Sequence, residues 1–393
     1  MTPILHRARL LAASLIVSFA SVLSAQTRYF VTDLGTLGGS IGFAYAVNLR
    51  GQVAGASLTS GDNGYLAFRT APGRPINPAT DSLGTFGGVQ SYGMSINLLG
   101  QVAGSSAVTD SAPLHAFRTA PNRSINPATD DLGTLGGTES QAWSINEWGQ
   151  VVGYGMTAGD LDLHAFRTGP NLRINPLTDD LGTLGGTESI AAGINDLGQV
   201  TGYALTAGDL MHRAFRTAPN LPINAATDDL GTLGGTESFG SAINNSGQVT
   251  GFALIAGDLA DHAFRTAPNR PINPATDDLG TLGGSQSSGL AINDWGQVVG
   301  IATDSNEIEH AFLFTGGHME KLDKTIPRGS GWALLEAFGI NNAGQIVGIG
   351  THKGSQHPFL LTPAIKALCE HNGWVNFNFR NEGQCIQFAN TEK

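Results

Sequence analysis

Residues 131–146 read DLGTLGGTESQAWSIN. Close copies begin at Asp33, Asp180, Asp229 and Asp278, and a looser one, DSLGTFGG, begins at Asp81. Each leads to Ile-Asn (Val-Asn in the first copy), two variable residues and Gly-Gln-Val. The leucine of the motif recurs at Leu34, Leu83, Leu132, Leu181, Leu230 and Leu279, always 49 residues apart. The turn asparagine recurs at Asn48, Asn97, Asn146, Asn195, Asn244, Asn293 and Asn341, and a phenylalanine at Phe68, Phe117, Phe166, Phe215, Phe264, Phe312 and Phe359. A fixed period of this length marks a repeat architecture of seven units. The seventh is degenerate: Lys321-Leu322-Asp323-Lys324 stands where Leu-Gly is expected, while Asn341-Asn342-Ala343-Gly344-Gln345 keeps the turn.

Local signals divide each unit into four short strands, a to d, placed in the third unit at about 141–145, 150–154, 164–168 and 178–181. The Asn-x-x-Gly between a and b suits a tight turn, because the Asn side chain accepts backbone N–H groups and Gly takes positive φ. Four antiparallel strands per unit form a β-propeller blade. The expected fold is therefore an all-β, seven-bladed β-propeller of four-stranded antiparallel blades. LGTLGG becomes the crossing from the outer strand of one blade to the inner strand of the next. Its recurrence without a following helix argues against a phosphate-binding glycine loop. The chain ends support closure. Residues 29–34 read as a d strand with no a, b or c before it, and 357–363 as a c strand with no d after it. Pairing the two completes the last blade and removes both edges.

These units resemble the HAF repeats of bacterial extracellular proteins, through His115-Ala116-Phe117, His164-Ala165-Phe166, His262-Ala263-Phe264 and His310-Ala311-Phe312 beside DLGTLGG and the Asn-x-x-Gly-Gln turn. The resemblance covers about 29–362, with departures at Leu66, Arg213 and Pro358. It implies an exported repeat protein and supplies no activity. Residues 369–388 resemble the Cys-bounded endings of many exported bacterial proteins.

The chain has 393 residues, 41% of them hydrophobic, with 54 glycines and only 13% charged. Arg7 and Arg9, an apolar run over 10–23 and Ser24-Ala25 form a secretory signal pattern. The run is short for a spanning helix, which needs roughly 20 residues. Residues 1–25 are thus expected to be a signal peptide, 26–363 the repeat propeller and 364–393 a Cys-bounded tail. Losing two arginines and no acid takes the formal net charge from −11 to −13. Such a chain is a poor partner for nucleic acid or anionic membranes. Export predicts a disulfide between Cys369 and Cys385, the only cysteines. His371 alone is too little for a metal site there.

The recurring histidines lie around a circle in the third strand, so they are expected to be hydrogen-bonded between blades and not to share a metal. Arg69, Arg118, Arg167, Arg216 and Arg265 are expected to pair with Asp81, Asp131, Asp180, Asp229 and Asp278 between strands c and d. The ligand candidates are carboxylates of one face: Asp160, Asp209 and Asp258 from the b–c loops, and Glu139, Glu188 and Glu237 from the crossings. Solvated turns explain the aspartates equally, and no DxDxDG calcium spacing occurs. A catalytic site must break the repeat. The residues that do so are His318, Lys321, Lys324, Arg328, Trp332, Glu336, His352 and Lys353, with no nucleophile–base spacing among them. The expected function is a secreted, monomeric, non-catalytic module that binds an extracellular carbohydrate or protein. The alternatives are a polysaccharide hydrolase or lyase built on units six and seven, and a calcium-stabilised surface protein.

Overall fold

The computed structural model describes residues 27–110, 113–377 and 379–390; the expected signal peptide lies outside them. In the third unit strand a is Gly136–Ile145, b is Val151–Thr157 and c is Leu163–Arg167, paired antiparallel in that order. Strand a starts earlier than the sequence suggests, at Gly136 of the crossing. Gly133 and Gly136 take φ of 76° and 104°, which a side chain would resist. Asp131 accepts the Gly133 N–H at 2.8 Å, and the Thr134 hydroxyl bonds the Gly137 carbonyl at 2.8 Å. Ser140 then ties the crossing to the preceding unit: its Oγ accepts the Ala116 N–H and donates to the Gly133 carbonyl.

The expectation of seven separate four-stranded blades needs two corrections. First, the described strands group into six hydrogen-bonded sheets, so by that criterion there are six blades. The third and fourth units share one six-stranded sheet, because Leu163 of one strand c pairs in parallel with Glu188 at the start of the next strand a. Second, strand d is complete only in the first, sixth and seventh units, as Ser82–Gly84, His318–Lys321 and Tyr29–Asp33. Elsewhere it is a single bridge, such as Phe166 with Asp180. Asn175 and Asp179 close a turn, with the Asp179 N–H on the Asn175 carbonyl and the Asn175 N–H on the Asp179 carboxylate. The first unit has the same turn at Asn77 and Asp81 and still forms strand d, so the turn alone does not set the strand's length.

Closure is as expected. The N-terminal strand pairs antiparallel with Ser355–Pro363 from Tyr29–Pro363 to Asp33–Phe359. Seven asparagines join the units at the axial end. The Asn146 carboxamide oxygen accepts the N–H groups of Trp148 and Gln150, and its Nδ2 donates to Gln150 Oε1 and to the Asn195 carbonyl of the next unit. All four hydrogen-bonding positions of the side chain are used. The same inter-unit bond links Asn48 to Asn97 and so on to Asn341, whose Nδ2 reaches the Asn48 carbonyl at 2.9 Å. The ring has no gap.

The core lies between successive units. One cluster joins Ala103 and Ala116 of the second unit to Leu132, Leu135, Ile145, Val151 and Phe166 of the third. Every recurring phenylalanine is fully buried. The tail packs on the closing strand: Phe30 stacks on Phe377 at 4.1 Å and meets Phe379 and Phe388, and Cys369 and Cys385 form the expected disulfide. Among the described residues no helix is long and apolar enough to cross a membrane.

Candidate functional site

Strand a is innermost, so its alternate residues face the axis. Two positions before the Ile or Val that precedes each turn asparagine, the seven units place Tyr45, Met94, Trp143, Ala192, Ser241, Leu290 and Phe338. No residue type occurs twice, although the flanking Ile-Asn is repeated almost unchanged. These side chains border two axial cavities. One, of about 370 Å³, continues to the asparagine ring; the other, of about 480 Å³, widens among Tyr203, Phe239 and Phe252.

Aromatic rings surround the wider cavity on two sides. Tyr45 meets Phe43 at 5.9 Å and Phe338 at 5.5 Å, and Tyr65 and Tyr92 extend that side. Opposite, Trp143 meets Tyr154, and Phe239 lies between Tyr203 and Phe252 at 4.9 and 4.7 Å. All these rings are half-buried, and of them Tyr45, Trp143, Tyr203, Phe239, Phe252 and Phe338 line the cavity itself. Burial, helped by Glu139 and Tyr203, pushes the Tyr154 hydroxyl up to about 12. Burial also raises the Glu336 carboxyl, with the Glu309 charge adding to it.

The six carboxylates singled out in the sequence fall into two sets. Glu139, Glu188 and Glu237 stand beside the aromatic groups: Glu139 accepts from Gln141 at 2.7 Å, and His212 lies between Glu188 at 3.9 Å and Glu237 at 3.4 Å. Asp160, Asp209 and Asp258 instead hold their own units together. Each occupies a positive-φ turn position and accepts the backbone N–H of Thr138, Thr187 or Thr236 at 2.7 Å. These contacts put the b–c loops and the crossings on one face, as expected, and make the aspartates turn residues.

The repeat histidines and arginines exchange the roles expected of them. His115, His164 and His262 bond Asp131, Asp180 and Asp278 within a unit, across strands c and d. The arginine reaches the next unit: Arg118 donates to the Gly149 and Leu172 carbonyls at 3.1 and 3.0 Å. Side chains alternate across a strand, so His and Arg three residues apart face opposite sides. Only the histidine shares a side with the aspartate. In the sixth unit Lys321 bonds Asp304 at 2.7 Å and also meets His310.

At the seventh unit ring closure rebuilds the same pair from the two ends of the chain. His357 Nδ1 lies 2.9 Å from both Asp33 carboxylate oxygens. His352 is added there, with its Nδ1 3.0 Å from Asp33 Oδ2 and its ring stacked on Trp332 at 4.7 Å and 9°. A cavity of about 770 Å³ opens beside them, lined by Asp33, Arg328, Trp332 and His352 and by Phe377, Arg380 and Gln384 of the tail. Of the residues that break the repeat, the structure brings Arg328, Trp332 and His352 to this one place. Asp33 and His357 escaped sequence reading as a pair, although the motif register and the closure together mark them.

No family model matches the chain, and no curated protein does. Among solved structures, the chain is similar to one from a structural and mechanistic study of two prolyl endopeptidases, at 13% identity and a TM-score of 0.48. The match covers 82% of this chain and 46% of the peptidase chain, so this chain spans about half its length. A mutant of the Aleuria aurantia lectin in complex with Fucα1-6GlcNAc matches at 11% identity and a TM-score of 0.30, over 71% of this chain and 93% of the lectin. At these scores neither likeness bears on activity or ligand.

Proposed function

We propose that this is an extracellular, non-catalytic binding module of the HAF-repeat kind, and that it takes an extracellular carbohydrate in the axial funnel. The observation that carries the reading is the ring of Tyr45, Met94, Trp143, Ala192, Ser241, Leu290 and Phe338. A symmetric ring that served only packing would repeat its residues, as it does at the neighbouring Ile-Asn. Seven different residues at one equivalent position suit a single asymmetric ligand.

The chemistry of the lining favours a sugar. Half-buried aromatic rings offer flat apolar faces to the C–H surfaces of a pyranose while staying compatible with water. Glu139, Glu188, Glu237 and Gln141 stand at the border of those rings as hydrogen-bond partners for hydroxyls. A mostly apolar concavity with a few polar groups around it is the usual form of a small-ligand site. The acidic charge of the chain suits a neutral glycan better than an anionic one. The disulfide accords with an oxidising compartment.

The test is a glycan array probed with the chain lacking residues 1–25, followed by titration of each hit by tryptophan fluorescence. Trp143→Ala should weaken binding by more than tenfold while the thermal midpoint stays within a few degrees. Binding that is indifferent to Trp143→Ala would remove the funnel from the reading. A blank array would remove the carbohydrate.

A further inference from the structure

We propose that Asp33, His352 and His357 form a binding site for one transition-metal ion of the zinc class. Among the described residues these are the one group of His, Cys, Asp and Glu whose candidate ligand atoms all lie within 4.8 Å of one another. The two imidazole Nδ1 atoms converge on the same carboxylate oxygen, at 3.0 Å for His352 and 2.9 Å for His357. In a tetrahedral zinc site, bonds of about 2.0–2.1 Å place neighbouring ligand atoms roughly 3.3 Å apart. The two imidazole–carboxylate separations therefore need to open by only a few tenths of an ångström, and the two imidazole nitrogens lie within 4.8 Å of each other.

The sibling pairs supply the internal comparison. His115, His164 and His262 each contact one aspartate, and the structural role of that contact needs one imidazole. The seventh unit adds a second imidazole to the same carboxylate, and fixes it. Trp332 stacks on His352 and sets the plane of its ring. The Gly35 N–H holds Asp33 Oδ1 at 2.9 Å, which leaves Oδ2 turned to the histidines. Supports of this kind behind the ligands are what orient a metal site. Two imidazoles and one carboxylate select zinc or a similar first-row ion and disfavour calcium, which takes six to eight oxygens.

Asp33 and His352 both line the 770 Å³ cavity under the tail. Three protein ligands leave one tetrahedral position unfilled, and the cavity is where a water or a ligand atom would complete it. The site lies at the outer edge of the seventh unit, away from the axial funnel, and is independent of what the funnel binds.

The experiment uses the untagged chain from residue 26 with its tail intact, stripped with a chelator and dialysed. Zinc is titrated by calorimetry against a competing chelator, and cobalt(II) loading is followed by its visible absorption. The expected result is one tight site per chain and a tetrahedral cobalt spectrum. His352→Ala should weaken zinc by more than about 100-fold, since it removes a direct ligand where even supporting residues cost 10–100-fold. His164→Ala, which breaks a sibling pair of the same geometry, should leave binding unchanged. Asp33→Asn can disturb the closing strand, so His352→Ala, checked for an unaltered circular dichroism spectrum, decides the matter. Absence of a stoichiometric site, or equal affinity in wild type and His352→Ala, overturns the proposal.

Discussion

The Nδ2 of Asn341 donates to the backbone carbonyl of Asn48 across 293 positions of sequence, at 2.9 Å. It is the last link of a ring whose other six links join neighbours 48 or 49 residues apart. A symmetric ring of equivalent bonds predicts equivalent costs. Asn341→Ala and Asn146→Ala should each destabilise the fold by about 1–3 kcal/mol, because buried N–H and C=O groups lose their partner. Urea denaturation checks this. If Asn341→Ala costs much less than Asn146→Ala, the closing bond is weaker in solution than its siblings.

The tail should behave as a clamp on the closing strand. Phe30 is fully buried against Phe377, Phe379 and Phe388. Phe30→Ala is expected to cost about 3–5 kcal/mol, in the range for a large buried aromatic. Cys385→Ser opens a loop with a sequence separation of 16 and should lower the stability of the tail by about 3 kcal/mol. Hydrogen exchange would then rise over 364–390 and along 29–33, while the asparagine turns stay protected. Uniform exchange across all units would contradict a local clamp.

Stability should depend on pH through the His–Asp pairs of the second and third units. The hydrogen bond from Asp131 raises the His115 pKa above its ordinary 6.5, and Asp180 does the same for His164, against the opposing effect of burial. Burial would raise the aspartates, but hydrogen bonds from the histidines and from Gly133 and Gly182 more than offset it and leave them low. A raised histidine stabilises the fold fully below its unfolded value and loses that contribution as pH rises through its folded value. A lowered aspartate stabilises above its unfolded value, about 3.9, and loses that contribution as pH falls through its folded value. The pairs thus contribute most between about pH 4 and 6.5. Thermal midpoints should fall from pH 6 towards pH 8.5, and His164→Gln should flatten that slope. Each contribution is small because the pairs are partly exposed.

The funnel can be blocked without touching its aromatic wall. Ser241 occupies the same ring position as Trp143 two units on, and it is half-buried with the axial cavity in front of it. Ser241→Trp should fill the cavity and abolish glycan binding while the fold survives, since the side chain enters open space and not a packed core. Undiminished binding in this variant would place the ligand elsewhere.

Much of this molecule is decided within a few residues of chain. Asn146-Glu147-Trp148-Gly149 makes its turn by its own side chain, Thr134 and Asp131 hold their own glycines, and the period of 49 follows from repeating such units. The all-β class, the inner place of strand a and the pairing of 29–33 with the last strand c were legible for that reason. The disulfide followed from the expected export together with the two cysteines. Tertiary structure alone decided which side chains meet. Whether Asp131 bonds His115 or Arg118 depends on which side of strand c each residue faces, and the strand pairing sets that. The third and fourth units join into one sheet through Leu163 and Glu188, whose sequence neighbourhoods differ little from those of other units. Asp33, His352 and His357 come together only because the ring closes. Asp33 lies 319 and 324 positions from the two histidines, beyond any local pattern, and the geometry of the closed ring brings it within hydrogen-bonding distance of them.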